Sequence, residues 1–218
     1  DGRMFRANEM EGVETFTMAE LLDYCEFNGL TMHMSPQAIS QLNKLQVFDL
    51  ICGQVDRHLN NYNVIIDDSV PGEVTVTGIK AIDNDMSFGG LKYEDIRYST
   101  SAMLSFMSRI EENGSITIPY LEKGFYEQLL RLEENNWEGL EKIALEQSDI
   151  RTPDEIDALK DRIKGVVDDL KTQVQYQMIT LVETEEEWEG AYADMLNTCR
   201  YGRLKEGYAA IVFSLMSK

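Results

Sequence analysis

The stretch SPQAISQLNKLQVFDLICGQV, beginning at Ser35, constrains the fold more than any other part of the chain. Ser35 is placed to cap a helix and Pro36 to occupy its first position, where a missing backbone N–H costs nothing. Beyond them Ile39, Leu42, Leu45 or Gln46, and then Phe48, Leu50 and Ile51 widen an apolar face until it is nearly continuous. A helix that is apolar around most of its circumference must be buried. It runs straight into a polar loop, QVDRHLNNYNVIID, residues 54–67, which collects an acid, two bases and three asparagines before a β-branched run.

Around this helix the other elements follow from cap and turn chemistry. In TFTMAELLDYCEFNG, Thr17 and Glu20 have the spacing of a capping box and Gly29 closes the helix. NVIID and EVTVTGIKAID, separated by the turn cluster DSVPG, predict a hairpin that pairs Val64–Ile66 with Val74, Val76, Ile79 and Ile82. After Gly90 the pattern reads as helix: SAMLSFMSRIEENG, then GFYEQLLRLEENNWEGLEKIALEQ, then a helix opened by Thr152-Pro153 and continued through QMITLVE. Its apolar residues Ile156, Leu159, Ile163, Val166 or Val167, Leu170 and Val174 recur at helical spacing. The acidic tail also reads as helix. The expected class is mainly α with one small β-hairpin.

The 218 residues suffice for one sizeable domain or two small lobes. A net charge of −19 repels phosphate backbones and anionic lipid, which disfavours nucleic-acid and membrane partners. Three scattered cysteines without a CxxC argue against a disulfide framework and for a reducing, cytoplasmic location. Two histidines make a histidine-rich zinc site improbable, and His33, in TMHMSP, reads as a surface or partly buried residue. No run approaches the ~20 apolar residues that span a bilayer. DGRMFRANEM has neither a signal-peptide core nor an initiator Met, so the chain is expected to begin inside a longer parent.

The polar loop offers specific chemistry. Asp56 precedes Asn61 by five residues, on a loop between a buried helix and a strand, and Asp83 follows the hairpin. Phosphoryl transfer needs a carboxylate to position or deprotonate the acceptor hydroxyl, and oxygen ligands for Mg²⁺ on the phosphates. This arrangement resembles the catalytic loop and metal-binding segment of the protein-kinase-like fold. The order Asp56-Arg57-His58 reverses that of ordinary protein kinases and resembles the atypical branch: phosphatidylinositol kinases, actin-fragmin kinase, HipA-type bacterial kinases and the Golgi secretory kinases. DRHLNNYNVII is closest to the HipA and actin-fragmin pattern, and IDNDMSFG to the Asp-Asn-Gly…Phe-Gly segment of the Golgi kinases.

The resemblance implies a kinase-like C-lobe that uses ATP and Mg²⁺ to phosphorylate a Ser/Thr hydroxyl of a protein. Asp56 would be the catalytic base, with Arg57 and His58 bracing the loop. Asn61 and Asp83 would hold the metal, with Asn63 and Asp85 as further ligand candidates; Asp85 stands where the Golgi pattern has glycine. ANEMEGVETFTMAELLDY resembles a kinase hinge and its first helix, so backbone groups of Glu9, Met10 and Glu11 would meet the adenine edge while Gly12 lets the chain turn. On this reading residues 1–14 are strand and hinge, and 15–218 form the C-lobe, with the catalytic loop at 54–67 and the metal segment at 80–90. No glycine-rich cover or paired lysine precedes the hinge, so the N-lobe is expected from missing sequence or a separate chain. Partners would be a protein substrate or a regulatory protein. Two alternatives stay open: nucleotidyl transfer on the same scaffold, and a pseudokinase-type interaction module.

Overall fold

Phe16–Thr17 form a short strand, β1, and Thr17 then caps helix α1, Met18–Asn28. The Glu20 N–H donates to the Thr17 hydroxyl at 3.2 Å, and the Thr17 N–H donates to the Glu20 carboxylate at 2.8 Å, a reciprocal capping box. Gly29, at φ 65°, ends α1 in the left-handed region that glycine adopts without strain. After strand β2, Thr31–Met34, Ser35 caps the 17-residue helix α2, Pro36–Cys52. Strands β3, Tyr62–Asp67, and β4, Glu73–Ala81, form the expected hairpin. The order continues with helix α3, Tyr93–Ile96, strands β5, Arg109–Ile110, β6, Ile116–Thr117, and β7, Tyr120–Glu122, helices α4, Lys123–Glu134, and α5, Pro153–Gln175, and strand β8, Thr180–Val182.

This computed structural model describes residues 16–84, 86–96, 109–110, 116–117, 120–134, 139, 142, 146, 152–184, 186–188 and 190–191. The hinge-like segment with Glu9, Met10, Glu11 and Gly12 lies outside the described residues. Among the described residues no helix is long and apolar enough to cross a membrane.

Helix α2 owes its broad apolar surface to its place between two cores. Its N-terminal half, through Ala38, Ile39 and Leu42, packs with Met18, Leu21, Val64 and Val76 under the sheet. Its C-terminal half, through Val47, joins a second cluster with Leu121, Val166, Val167 and Leu170. Each fully buried side chain of this size contributes about 1.5–3 kcal/mol relative to exposure, so a helix serving two cores is expensive to weaken. Phe48 departs from the expected face and is 55% exposed. The buried side of α2 also carries Ser40, Asn43, Gln46 and Asp49, a polar stripe that addresses strand β7 and the loop beyond Cys52.

The hairpin is the centre of a larger sheet than the sequence suggests. β1 adds antiparallel to β3 and β2 adds parallel to β4, giving the order β1-β3-β4-β2. Both added strands are short edge strands, and in β2 only Met34 is buried, so neither leaves a period-2 signature. Two helical expectations are corrected. Arg109–Ile110, within the helix expected at SAMLSFMSRIEENG, form a strand paired with Ile116–Thr117. The long C-terminal helix stops at Gln175: Gln177 turns the chain at φ 57°, and the β-branched run that follows becomes β8, parallel to β7. The fold is mixed α/β and, among the described residues, mostly helical as expected, with the hairpin enlarged into one small mixed sheet and two further two-stranded sheets.

Helix α5 begins with a second capping box, Thr152 and Glu155, at the expected position. It then meets α3 at a notch. A Cβ on Gly165 would lie 2.3 Å from the Tyr93 ring, so the ring rests directly on the helix backbone. The Tyr93 hydroxyl donates to Asp169, and its backbone N–H to Asp161 at 2.9 Å. Gly165→Ala gains helix propensity worth ~1 kcal/mol. We expect the clash to outweigh that gain and to leave a net loss of about 1–3 kcal/mol by overpacking, read as a lower urea midpoint. A midpoint at or above that of the parent would show that α3 does not sit in this notch.

Candidate active site

The site grows from the last turn of α2. Gly53 closes the helix at φ 71°, and the next residue, Gln54, is only 1% exposed although its side chain is polar. Both ends of its amide are used. Oε1 accepts from the Asp56 N–H at 3.0 Å, and Nε2 donates to the Asp83 carbonyl at 3.0 Å. One side chain thus ties the Asp-Arg-His loop to the segment after β4.

Arg57 makes the same connection with charge. Its Nε and Nη2 donate to the two Asp49 carboxylate oxygens at 2.9 and 3.0 Å, a fork on the buried face of α2. Nη1 donates to the Asn61 and Ile82 carbonyls, each at 2.6 Å, and Nη2 also reaches Asn84 Oδ1 at 2.6 Å. Only a planar guanidinium presents donors to a carboxylate and to two strand ends at once; an ammonium could not. Both partners are buried, and burial pushes the Asp49 carboxyl above its usual value, with the Arg57 hydrogen bonds pulling it back only in part. Such a pair is costly to break from one side, because the remaining charge stays desolvated.

The chemistry-bearing groups lie around this frame. Asp56 is exposed on the loop and its carboxylate stands 3.9 Å from His58 Nε2. His58 Nδ1 accepts from the Asn60 N–H at 3.2 Å, which leaves the Nε2 proton on the side of Asp56. Asn61 is buried, and its Nδ2 donates to the Asp56 carbonyl at 2.7 Å. That bond fixes the orientation of the amide and leaves the oxygen as the group available to a ligand. The Ile82 N–H donates to the Asn61 carbonyl at 3.1 Å, so Asp83 follows directly on the residue that faces Asn61. Asp83 sits at φ 53°, an uncommon conformation for a side chain with a Cβ, and is exposed. Asn63 is drawn into β3, opposite Lys80 on one side and Thr17 on the other. Asp85 lies outside the described residues.

Asp56, Asn61 and Asp83 therefore share one frame. An amide oxygen and a carboxylate are hard donors that fit Mg²⁺, which takes few protein ligands and completes its shell with water and phosphate. Among the described residues no three of His, Cys, Asp and Glu lie together as a metal-holding group, and the Asn61–Asp83 pair is not of that kind. Residues that sequence reading passed over, Asp49, Gln54 and Asn84, supply the frame. Asp49 had a visible signal, an acid on the widening apolar face of a buried helix, which requires a buried cation elsewhere.

A separate cleft of about 530 Å³ lies along the N-terminal half of α2, lined by Ser40, Lys44, Glu122, Lys123, Glu183 and Trp188 among others. None of the loop residues 54–67 reach it. Four of its charged side chains pair, Lys44 with Glu122 and Lys123 with Glu183.

Asp49→Ala leaves the Arg57 guanidinium buried without a counter-charge. The expected cost is about 3–5 kcal/mol in chemical denaturation. A loss under about 1 kcal/mol, the range of an exposed pair, would show that water already reaches the fork.

No family model, no curated protein and no solved structure matches the chain.

Proposed function

We propose that this chain is the catalytic C-lobe of an atypical kinase that transfers a phosphoryl group from ATP to a Ser/Thr hydroxyl of a protein. The observation that supports this most is the sharing of Gln54: the same amide holds the Asp56 N–H and the Asp83 carbonyl. Two polar turns without a common task have no need of a common buried anchor.

In this reading the exposed Asp56 carboxylate accepts the hydrogen bond of the acceptor hydroxyl and takes its proton as the oxygen attacks. His58, held by the Asn60 N–H, stands with Nε2 3.9 Å from that carboxylate. Asn61 Oδ1 and the Asp83 carboxylate would hold Mg²⁺, which when bound would supply charge neutralisation on the transferring phosphates. Arg57 takes no part in the reaction; it keeps the Asn61 and Ile82 carbonyls at a fixed spacing, and with them the two metal-binding side chains. The strong negative charge of the chain favours a basic protein region as substrate over an anionic lipid headgroup.

Nucleotide binding is tested by the melting temperature of this chain with ATP, with and without Mg²⁺. At a hundredfold excess over Kd, binding stabilises by about 2.7 kcal/mol, and the shift should require the metal. In Asp83→Ala the metal-dependent part of the shift should vanish. Asp56→Ala in the full-length protein should keep the shift and lose transfer by about 10²–10⁴-fold, the usual worth of a general base. Unchanged turnover in that variant would remove Asp56 from the mechanism.

A further inference from the structure

Helix α5 carries an arginine on its core face. Arg162 is 0% exposed, next in sequence to the buried Ile163 and one turn from the buried Ala158 and Val166. Its Nε donates to the Ile51 carbonyl at 2.9 Å, in the last turn of α2. Its Nη1 donates to the carbonyls of Gly89 at 2.9 Å and Leu91 at 2.5 Å, in the segment that follows Asp83. Nη2 is buried with no hydrogen-bond partner among the described residues, and no carboxylate there forms an ion pair with it. A Cβ on Gly53 would lie 2.9 Å from the Arg162 Cζ, so the guanidinium packs on the backbone of the turn that leads to Asp56. The Phe88 N–H, from a left-handed residue at φ 65°, donates to the Cys52 carbonyl at 2.6 Å beside it.

This arrangement is a poor device for stability. Burying a cation whose hydrogen bonds among the described residues go to carbonyls is costly, and the nearby Asp161 carboxylate and the partial negative charge at the C-terminus of α2 offset only a fraction of that cost. Methionine would fill the volume without the penalty. What the guanidinium adds is geometry: one planar group fixes the end of α2, which leads into Asp56, to residues 89–91, which lead away from Asp83. We infer that Arg162 is a positioning residue for the metal site, holding segment 86–91 against α2 so that the Asp83 carboxylate is presented beside Asn61. The inference rests on the phosphotransfer reading of Asp83.

The test compares the parent chain with Arg162→Met and Arg162→Lys, the latter keeping the charge and losing the fork. Amide hydrogen exchange at Phe88 reads the clamp, and the Mg²⁺ concentration for half-maximal ATP binding reads the site. Loss of a group that orients a metal ligand raises that concentration by about 10–100-fold. We expect this rise in Arg162→Met, faster exchange at Phe88, unchanged affinity for ATP without metal, and a smaller effect in Arg162→Lys. Methylguanidinium added to Arg162→Ala should restore the metal response where urea does not. If Arg162→Met does not fold, Arg162→Lys carries the comparison. An unchanged Mg²⁺ requirement in a variant whose parent binds Mg²⁺·ATP overturns the role of Arg162 alone, as does an equal loss of affinity with and without metal. A parent chain that shows no Mg²⁺-dependent binding overturns the phosphotransfer reading and the positioning role with it.

Discussion

Arg57 is the point on which the candidate site hangs. Its guanidinium reaches α2 through Asp49, the loop through Asn61, and the end of the hairpin through Ile82 and Asn84. These pieces come from separate parts of the chain, and backbone pairing reaches only some of them: the ladder between β3 and β4 ends at Tyr62 and Ala81, with one further bond from Ile82 to Asn61. Beyond that the chain is irregular, and its carbonyls need donors that no strand supplies. A buried arginine provides several donors at once. The cost is a desolvated charge, and Asp49 on the interior face of α2 offsets it.

The same logic explains why α2 holds the molecule together. It packs against the sheet with one half and against α5 with the other, so its C-terminal turn is fixed from both sides. Gly53, Gln54 and Cys52 inherit that rigidity, and Asp56 is two residues beyond Gln54, whose side chain holds its N–H. The Asp56 carboxylate is thus exposed to solvent while its backbone is anchored in the interior.

Much of this was legible in the sequence, for local reasons. Thr17 with Glu20, Ser35 with Pro36, and Thr152 with Pro153 each satisfy orphan N–H groups within one turn, so the helix starts could be read directly. The hairpin was legible because Val64, Val74 and Val76 alternate with exposed positions. What escaped depends on partners distant in the chain. β1 and β2 are strands only because β3 and β4 offer them free edges. β8 is a strand because β7 lies ready to pair with it; the apolar residues of QMITLVE fit a helix equally well until Gln177 turns. Of the candidate site, Asp56, Asn61 and Asp83 stand out through the family resemblance of their motifs, whereas Gln54 and Arg162 leave no such mark. Their role lies in carbonyls 29 and 73 positions away, Asp83 and Gly89.

The buried polar residues of this chain differ in how they are satisfied, and the difference separates anchors of stability from anchors of geometry. Asn43 donates from α2 to the Tyr120 carbonyl of β7, while its own Oδ1 is buried without a partner among the described residues, and Arg57 pairs with a carboxylate. Among the described residues Arg162 donates only to carbonyls, and burial lowers its pKa from the usual guanidinium value despite the nearby Asp161 carboxylate. A core under selection for stability alone replaces such a residue with an aliphatic one of similar volume. Its presence on α5, between the end of α2 and the segment after Asp83, makes sense where that segment must be held in one position and its own sequence, MSFGG, cannot hold it. Two glycines and a left-handed Phe88 give residues 86–90 little conformational preference. The order has to be imposed from outside the segment, and a rigid fork on a long, well-packed helix imposes it.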